Sequence, residues 1–335
     1  MKKIFLILIS LCLSAQLHAQ VFSGTTAGQF LKIEAGAKAI AMGGAFVSQA
    51  NDASTIYWNP GGISRLEGSV ASFSHNFWLA DTRHDFAAVI IKLNEMHSLA
   101  VSYTSLSMND MNVRTEMFPE GTGELFSASD YAIGISYGLN LTDRFSIGFT
   151  GKYVGQSIWH MSASTFAFDV GVLYSTPIQG LQMGMSVSNI GGKMKYDGSD
   201  NFVNYDYNPA QTGNSDKIFA ELKMDQWALP LFFRFGVSMQ VLKDEYNSII
   251  ISADANHPND YGESVNTGIE YGFRGRVFLR GGYKSLFKKE SEEGLTAGAG
   301  LVYYVTEQFP VRVDYAYEDF GRLKAIHRFS VEIGF

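Results

Sequence analysis

Downstream of residue 66 the chain alternates. Phe329, Val331, Ile333 and Phe335 fall on one face of an extended strand, and Arg328, Ser330, Glu332 and Gly334 fall on the other. The same period runs through Val311, Val313, Tyr315 and Tyr317 against Arg312, Asp314, Ala316 and Glu318. It recurs in Tyr131, Ile133, Ile135, Tyr137 and Leu139 against Ala132, Gly134, Ser136 and Gly138. Successive side chains of a strand point to opposite faces, so each run predicts a strand with one apolar and one small or polar face. Fourteen such segments follow one another, at 68–78, 83–93, 97–107, 129–140, 144–157, 163–174, 181–190, 227–242, 246–255, 262–273, 276–286, 294–306, 309–317 and 325–335.

The connections sort by parity. After even-numbered segments they are short (94–96, 141–143, 175–180, 243–245, 274–275, 307–308). After odd-numbered ones they are generally longer, and the longest are 108–128 and 191–226. A secreted β-sandwich would bury its apolar faces against a second sheet. An antiparallel transmembrane β-barrel instead turns them to lipid, with short periplasmic turns and long outer loops. The alternation and the parity together predict an all-β fold, a 14-stranded antiparallel barrel over 67–335.

Composition narrows the choice. Only 18% of residues are charged against 14% aromatic, and there are 34 glycines. No stretch after residue 20 has the ~18 consecutive apolar residues of a membrane helix. Residues 1–19 read as a signal peptide: Lys2 and Lys3, an apolar run from Ile4 to Leu13, and Leu17-His18-Ala19 before the cut. Cleavage leaves 24 basic and 33 acidic side chains, a net charge of −9, which excludes a nucleic-acid footprint. The single cysteine, Cys12, leaves with the leader, so disulfides and thiolate chemistry are excluded. The expected location is the cell outer membrane, with outer-membrane lipid as the first partner.

Residues 20–66 do not alternate. Small residues dominate, among them Gly36, Ala37, Gly43, Gly44 and Ala45. Asp52 is placed to cap a helix over 53–58 that Asn59-Pro60-Gly61-Gly62 would end. The segment is expected either to fold back into the lumen as a plug or to lie beneath the barrel as an arm. The lumen-side charges Arg234, Asp254, Glu270, Arg280, Arg312, Asp314, Arg328 and Glu332 are of mixed sign and suited to pair with each other or with a plug.

Within that segment, Gly36-Ala37-Lys38-Ala39, Met42-Gly43-Gly44-Ala45-Phe46-Val47, Asn51-Asp52-Ala53 and Tyr57-Trp58-Asn59-Pro60-Gly61 resemble the N-terminal motif of the PorV/PorQ family of Bacteroidota. Lys38, Asn51 and Gly61 stand where that family usually has Arg, Asp and Ala. The resemblance covers about 30 residues. It implies a FadL-like barrel with a plug and a role in type IX protein secretion. The implied partners are a large translocon barrel and secreted cargo carrying a C-terminal signal. The closing strand, with Phe329, Val331, Ile333 and the terminal Phe335, resembles the signal read by the barrel-assembly machinery. For partner-binding loops the candidates are Met111, Met117, Phe118, Phe202, Tyr205 and Tyr207, apolar residues expected at loop tips. A FadL-like channel for hydrophobic small molecules, with lipid or detergent in the lumen, is the alternative.

Other motifs carry less. The six histidines of the mature chain share no metal spacing. Asp254, Asn256, Asp260 and Glu263 fail the EF-hand pattern. His160 beside Ser157, Ser162 and Ser164 is the one local grouping that resembles rim catalysis. Neither an enzyme nor a cofactor is expected. Lys284 to Glu293 reads as a solvated loop. Phe77, Trp78, Trp159, Trp227, Tyr303, Tyr304 and Phe309 read as interface girdles.

Overall fold

The structure, a computed structural model, describes residues 24–49, 51–206, 210, 218–288, 291–306 and 309–335. The leader expected over 1–19 and the loop candidate Tyr207 lie outside the described residues. The barrel strands are β1 (Val70–Phe77), β2 (Arg83–Lys92), β3 (His97–Ser107), β4 (Ala128–Asn140), β5 (Phe145–Ile158), β6 (Met161–Ser175) and β7 (Leu181–Gly191). They continue as β8 (Phe232–Lys243), β9 (Asn247–Pro258), β10 (Ser264–Phe273), β11 (Val277–Leu286), β12 (Leu295–Thr306), β13 (Phe309–Asp319) and β14 (Ala325–Gly334). Each pairs antiparallel with the next, and β14 returns to β1 with Val70 opposite Gly334 and Phe77 opposite His327. Closure satisfies backbone groups that lipid cannot.

The strand bounds follow the alternation closely, with one clear exception. β8 begins at Phe232 rather than residue 227, because Pro230 has no N–H to give a ladder. Trp227–Ala228 pairs instead with Lys193–Met194 inside the outer loop. The β5–β6 connection is also tighter than expected. It is only Trp159 and His160, with Trp159 at φ 50° and its ring stacked 4.3 Å from His160.

Ile135, Phe149, Leu279, Phe329 and Val331 are exposed on the outer surface, where a bilayer would cover them. The buried core lies between the wall and the segment that precedes β1. That segment holds a 3₁₀ turn (Gln29–Lys32), α1 (Ala37–Ala41), α2 (Thr55–Trp58) and a second 3₁₀ turn (Pro60–Arg65). α1, Phe46, Val47 and Trp58 pack together against Ala316 of β13. Ala35, Ala53, Ile56 and Ile63 pack on Phe86, Ala88 and Ile90 of β2. Phe30, Leu31 and Ile33 meet Ala132, Val154 and Ala167 on the opposite wall.

Candidate functional site

The lumen segment is a plug held by its own backbone. α2 is shorter than the helix expected over 53–58: it starts at Thr55, after a turn in which Asp52 Oδ1 accepts from Ser54 N at 2.8 Å and Ser54 Oγ at 2.5 Å. Asp52 therefore fixes the turn before the helix rather than its first turn. Trp58 is fully buried and donates from Nε1 to the Ala35 carbonyl at 2.9 Å. Asn59 follows in extended backbone and locks three chains. Its Nδ2 donates to the carbonyls of Val47 at 2.8 Å and Val172 of β6 at 2.9 Å, and its Oδ1 accepts from Gly61 N at 3.0 Å. Pro60 then fixes the entry to the second 3₁₀ turn.

The wall answers this backbone with glycines and acids. A Cβ at Gly171 of β6 would lie 2.8 Å from the Pro60 ring, so only glycine admits the turn there. Gly43, at φ 68°, sits so close to β10 and β11 that a Cβ would meet Tyr283 N at 2.8 Å. Asp254 of β9 accepts from Val47 N at 2.8 Å, and Glu332 of β14 accepts from Ala53 N at 2.7 Å. Buried N–H groups of the plug thus obtain carboxyl oxygens of the wall as acceptors. Four further lumen charges are held in ion pairs. Arg280 binds Glu270 and Asp314, each at 2.6 Å, and Arg312 reaches Glu332 at 3.4 Å.

At the outer end the plug is tied to the 259–263 connection. Asp260 accepts from Thr26 Oγ1 at 2.5 Å and Gln29 Nε2 at 2.8 Å, and pairs with Lys32 at 3.1 Å. Burial works to raise its pKa, but the hydrogen bonds from Thr26 and Gln29 and the Lys32 ammonium outweigh it and hold the carboxyl below its usual range. Asp254 and Asp260, grouped in the sequence with Asn256 and Glu263, therefore serve separate partners. Among the described residues no cluster of three or more His, Cys, Asp or Glu is arranged to hold a metal ion.

Above the plug the lumen opens into a vestibule of about 710 Å³, bounded by Phe30, Ile33, Trp78, Phe232, Tyr261 and Phe320 among others. Trp78, expected at the membrane interface, turns inward and packs edge-on against Phe320 at 5.5 Å. Lys284, read as the start of a solvated charge run, is 4% exposed. It gathers Glu34 of the plug at 2.6 Å, Glu318, and Glu293 at 3.7 Å. Nothing in the local sequence marks it as buried, since its two closest partners are 34 residues downstream and in the plug. Arg234 stands between the vestibule and a smaller void of about 30 Å³ below it. Burial pushes the adjacent Tyr57 phenol up to about 12, so it faces Arg234 as a neutral group.

The loop candidates lie outside this interior. Met111, Met117, Phe118, Phe202 and Tyr205 are all exposed. Met111–Asn112 pairs with Leu125–Phe126, and Phe202–Tyr205 pairs with Ile218–Glu221. The second hairpin stacks Phe202 on Phe219 at 4.8 Å and 13°. Sequence reading passed over Phe219, whose partner is set by the hairpin register. His160 does not face the serines around it: its Nδ1 lies 3.0 Å from Asp200. The closing-strand residues Phe329, Val331, Ile333 and Phe335 all point outward.

A plug of this motif inside a closed barrel is matched by one sequence family. The profile of "Type IX secretion system protein PorV" covers residues 16–224, more than half of the chain. The chain belongs to the PorV family. Among solved structures, this PorV-family barrel is similar to a FadL homologue of Pseudomonas aeruginosa, with 12% identity, TM-score 0.54, and coverage of 95% of this chain and 99% of that one. It is also similar to the toluene transporter TodX of Pseudomonas putida, with 11% identity, TM-score 0.56, and coverage of 94% and 98%. A third is the monoaromatic hydrocarbon channel CymD, with 12% identity, TM-score 0.56, and coverage of 90% and 97%. At such identities the likeness establishes the fold. No curated protein matches the sequence. PorV proteins and FadL-like transporters are outer-membrane barrels and not enzyme families.

Proposed function

We propose that this PorV-family barrel is a non-enzymatic component of type IX secretion that engages the translocon barrel, or cargo with a C-terminal signal, through its outer loops. The observation that carries the reading is the apolar surface of those loops. Met117 is 83% and Phe219 70% exposed. Exposed apolar patches rimmed by polar residues mark partner surfaces. The motif residues Gly36, Ala37, Met42, Gly43, Gly44, Asp52, Tyr57, Trp58, Asn59 and Pro60 act, on this reading, as a scaffold that closes the lumen. The leader over 1–19 delivers the chain to the outer membrane.

The test is purification of the tagged chain from its native outer membrane in mild detergent, with mass spectrometry of what accompanies it. The wild type is expected to bring a translocon barrel or C-terminal-signal cargo, and the double variant Phe202→Ser/Phe219→Ser to lose it at least tenfold. A lone barrel, together with unchanged secretion after gene deletion, would overturn the proposal. A second reading, a channel for hydrophobic small molecules, is favoured by the volume of the vestibule alone. Unaltered uptake of such molecules in a deletion strain would remove it.

A further inference from the structure

The outer loop between β7 and β8 has a head and a foot. The head is the exposed hairpin of Phe202–Tyr205 and Ile218–Glu221, where Phe202 stacks on Phe219. The foot is buried. Met194 is 2% and Leu229 3% exposed, and both pack in one cluster with Phe30 and Leu31 of the plug and Ala163 and Ala167 of β6. Tyr196 packs on the same cluster, and its carbonyl accepts from Nδ2 of the buried Asn201 at 3.4 Å. Asn201 in turn accepts from Leu222 N at 2.8 Å and so closes the base of the head.

The plug supplies part of the foot. Lys193–Met194 pairs antiparallel with Trp227–Ala228, and Thr26 of the plug bridges Ala228 in parallel. Ala27 N donates to the Ala228 carbonyl at 2.9 Å. Gly28 follows at φ 64°, where a Cβ would lie 3.0 Å from the Leu229 side chain, so a larger residue would press on the foot. The turn that makes these contacts is itself fixed to the wall. Gly28 N donates to Gln156 Oε1 of β5 at 3.0 Å, and Asp260 holds Thr26, Gln29 and Lys32. Asp197–Gly198 adds a second support by pairing with Met161 and Ser162 of β6. A ladder of two residues a side does not hold itself in water, so burial of Met194 and Leu229 on the plug is what seats the foot.

We propose that the outer turn of the plug, Thr26 to Leu31, positions this loop for its partner. The turn seats the foot, and the seated foot holds the Phe202/Phe219 head in its binding arrangement. This role rests on the reading that the outer loops engage a protein partner. It gives the plug a part in recognition beyond closing the lumen. Such coupling is reciprocal: a partner that favours the seated loop also favours the seated turn.

The tagged full chain is isolated from its native outer membrane, and size separation gives partner-bound and partner-free fractions whose hydrogen exchange is compared. Partner on the head is expected to slow exchange of the amides of residues 27–32 at least about fivefold, the lower end of coupling between distinct sites. A foot that is merely structural would leave those amides unmoved. In partner-free protein, two variants approach the contact from opposite sides. Ala27→Pro removes the N–H given to Ala228, and Leu229→Ser strips the apolar foot from the loop. Each is expected to speed exchange over Lys193–Met194 and Trp227–Ala228 while the ladders of β1–β14 keep their protection, and to lower partner recovery about fivefold. Equal exchange over 27–32 in the two wild-type fractions overturns the positioning role, and this comparison needs no variant to fold. So does a variant that loosens the foot yet recovers partner like the wild type. Where no partner accompanies the chain, the partner reading fails on its own. The foot measurement then still decides, since unchanged exchange there in Ala27→Pro removes the positioning role and faster exchange supports it.

Discussion

The wall of the barrel and the plug inside it are specified in opposite ways. The wall is redundant. Its hydrogen bonds run from backbone to backbone, and Ile133 or Ile135 meets lipid with any apolar side chain that fits the pleat. The plug is individual. Asn59 bonds two carbonyls and one N–H drawn from three separate segments, and Gly43 and Gly171 sit where a single added carbon collides with backbone or ring. A periodic structure tolerates substitution at most points, whereas a unique one fails at a few.

Substitutions from the inner face of the wall outward test that contrast, and the largest effect is expected at Arg280. Arg280→Met leaves Glu270 and Asp314 buried without their cation, and a loss of about 3–5 kcal/mol is expected in unfolding of the purified barrel. Replacing all three by apolar residues should recover most of it. If the single variant is silent, the inner wall is as redundant as the outer. Next comes Asn59→Ala, which removes three hydrogen bonds and strands buried carbonyls, at about 1–3 kcal/mol for each group left unpaired. Here the plug should become open to protease between residues 24 and 66 while β1–β14 pairing persists. Loss of the whole barrel would instead show that plug and wall fold as one unit.

A smaller, pH-dependent effect is expected at Asp260. Its carboxyl is held below the usual carboxylate range when folded, so its contribution is fully present above its unfolded value of about 3.9 and is lost as pH falls through the folded one. Hydrogen-exchange protection of residues 26–32 should therefore be flat from neutral pH to about 5 and fall below about 4. Asp260→Asn should lower it at neutral pH as well. The smallest effect belongs to the lipid face, where Ile135→Val should change stability by less than about 0.5 kcal/mol. A larger change would mean that Ile135 meets a partner rather than lipid.

The same contrast explains what could be read in the sequence. Strand positions follow from a period that is local, so Phe329 to Phe335 and Tyr131 to Leu139 declare their faces unaided. The motif around Asn59 declared itself by its composition. Its bonds did not, because Val172 lies 113 residues further along the chain. In sequence, Lys284 reads as a solvent residue and Trp78 as a membrane-interface residue for a related reason. Each sits at a strand end, where the choice between inside and outside depends on what the plug leaves empty. Pro230 was the exception that local chemistry could have flagged, since a residue without an N–H sits poorly in an interior strand.

Closure by β1 against β14 has one more consequence, for the order of assembly. Val70 and Gly334 are 264 residues apart in sequence, and the segment already threaded through the lumen precedes Val70. The seam between first and last strands cannot be joined until the final strand exists. Non-local pairings of this kind form slowly because the loop entropy is lost before the contact is made. If the open sheet curls around the waiting N-terminal chain and the seam then traps it, the chain acts as a mandrel for the cylinder. The glycines that let it lie against the wall would then shape how the barrel is made as well as how it is filled.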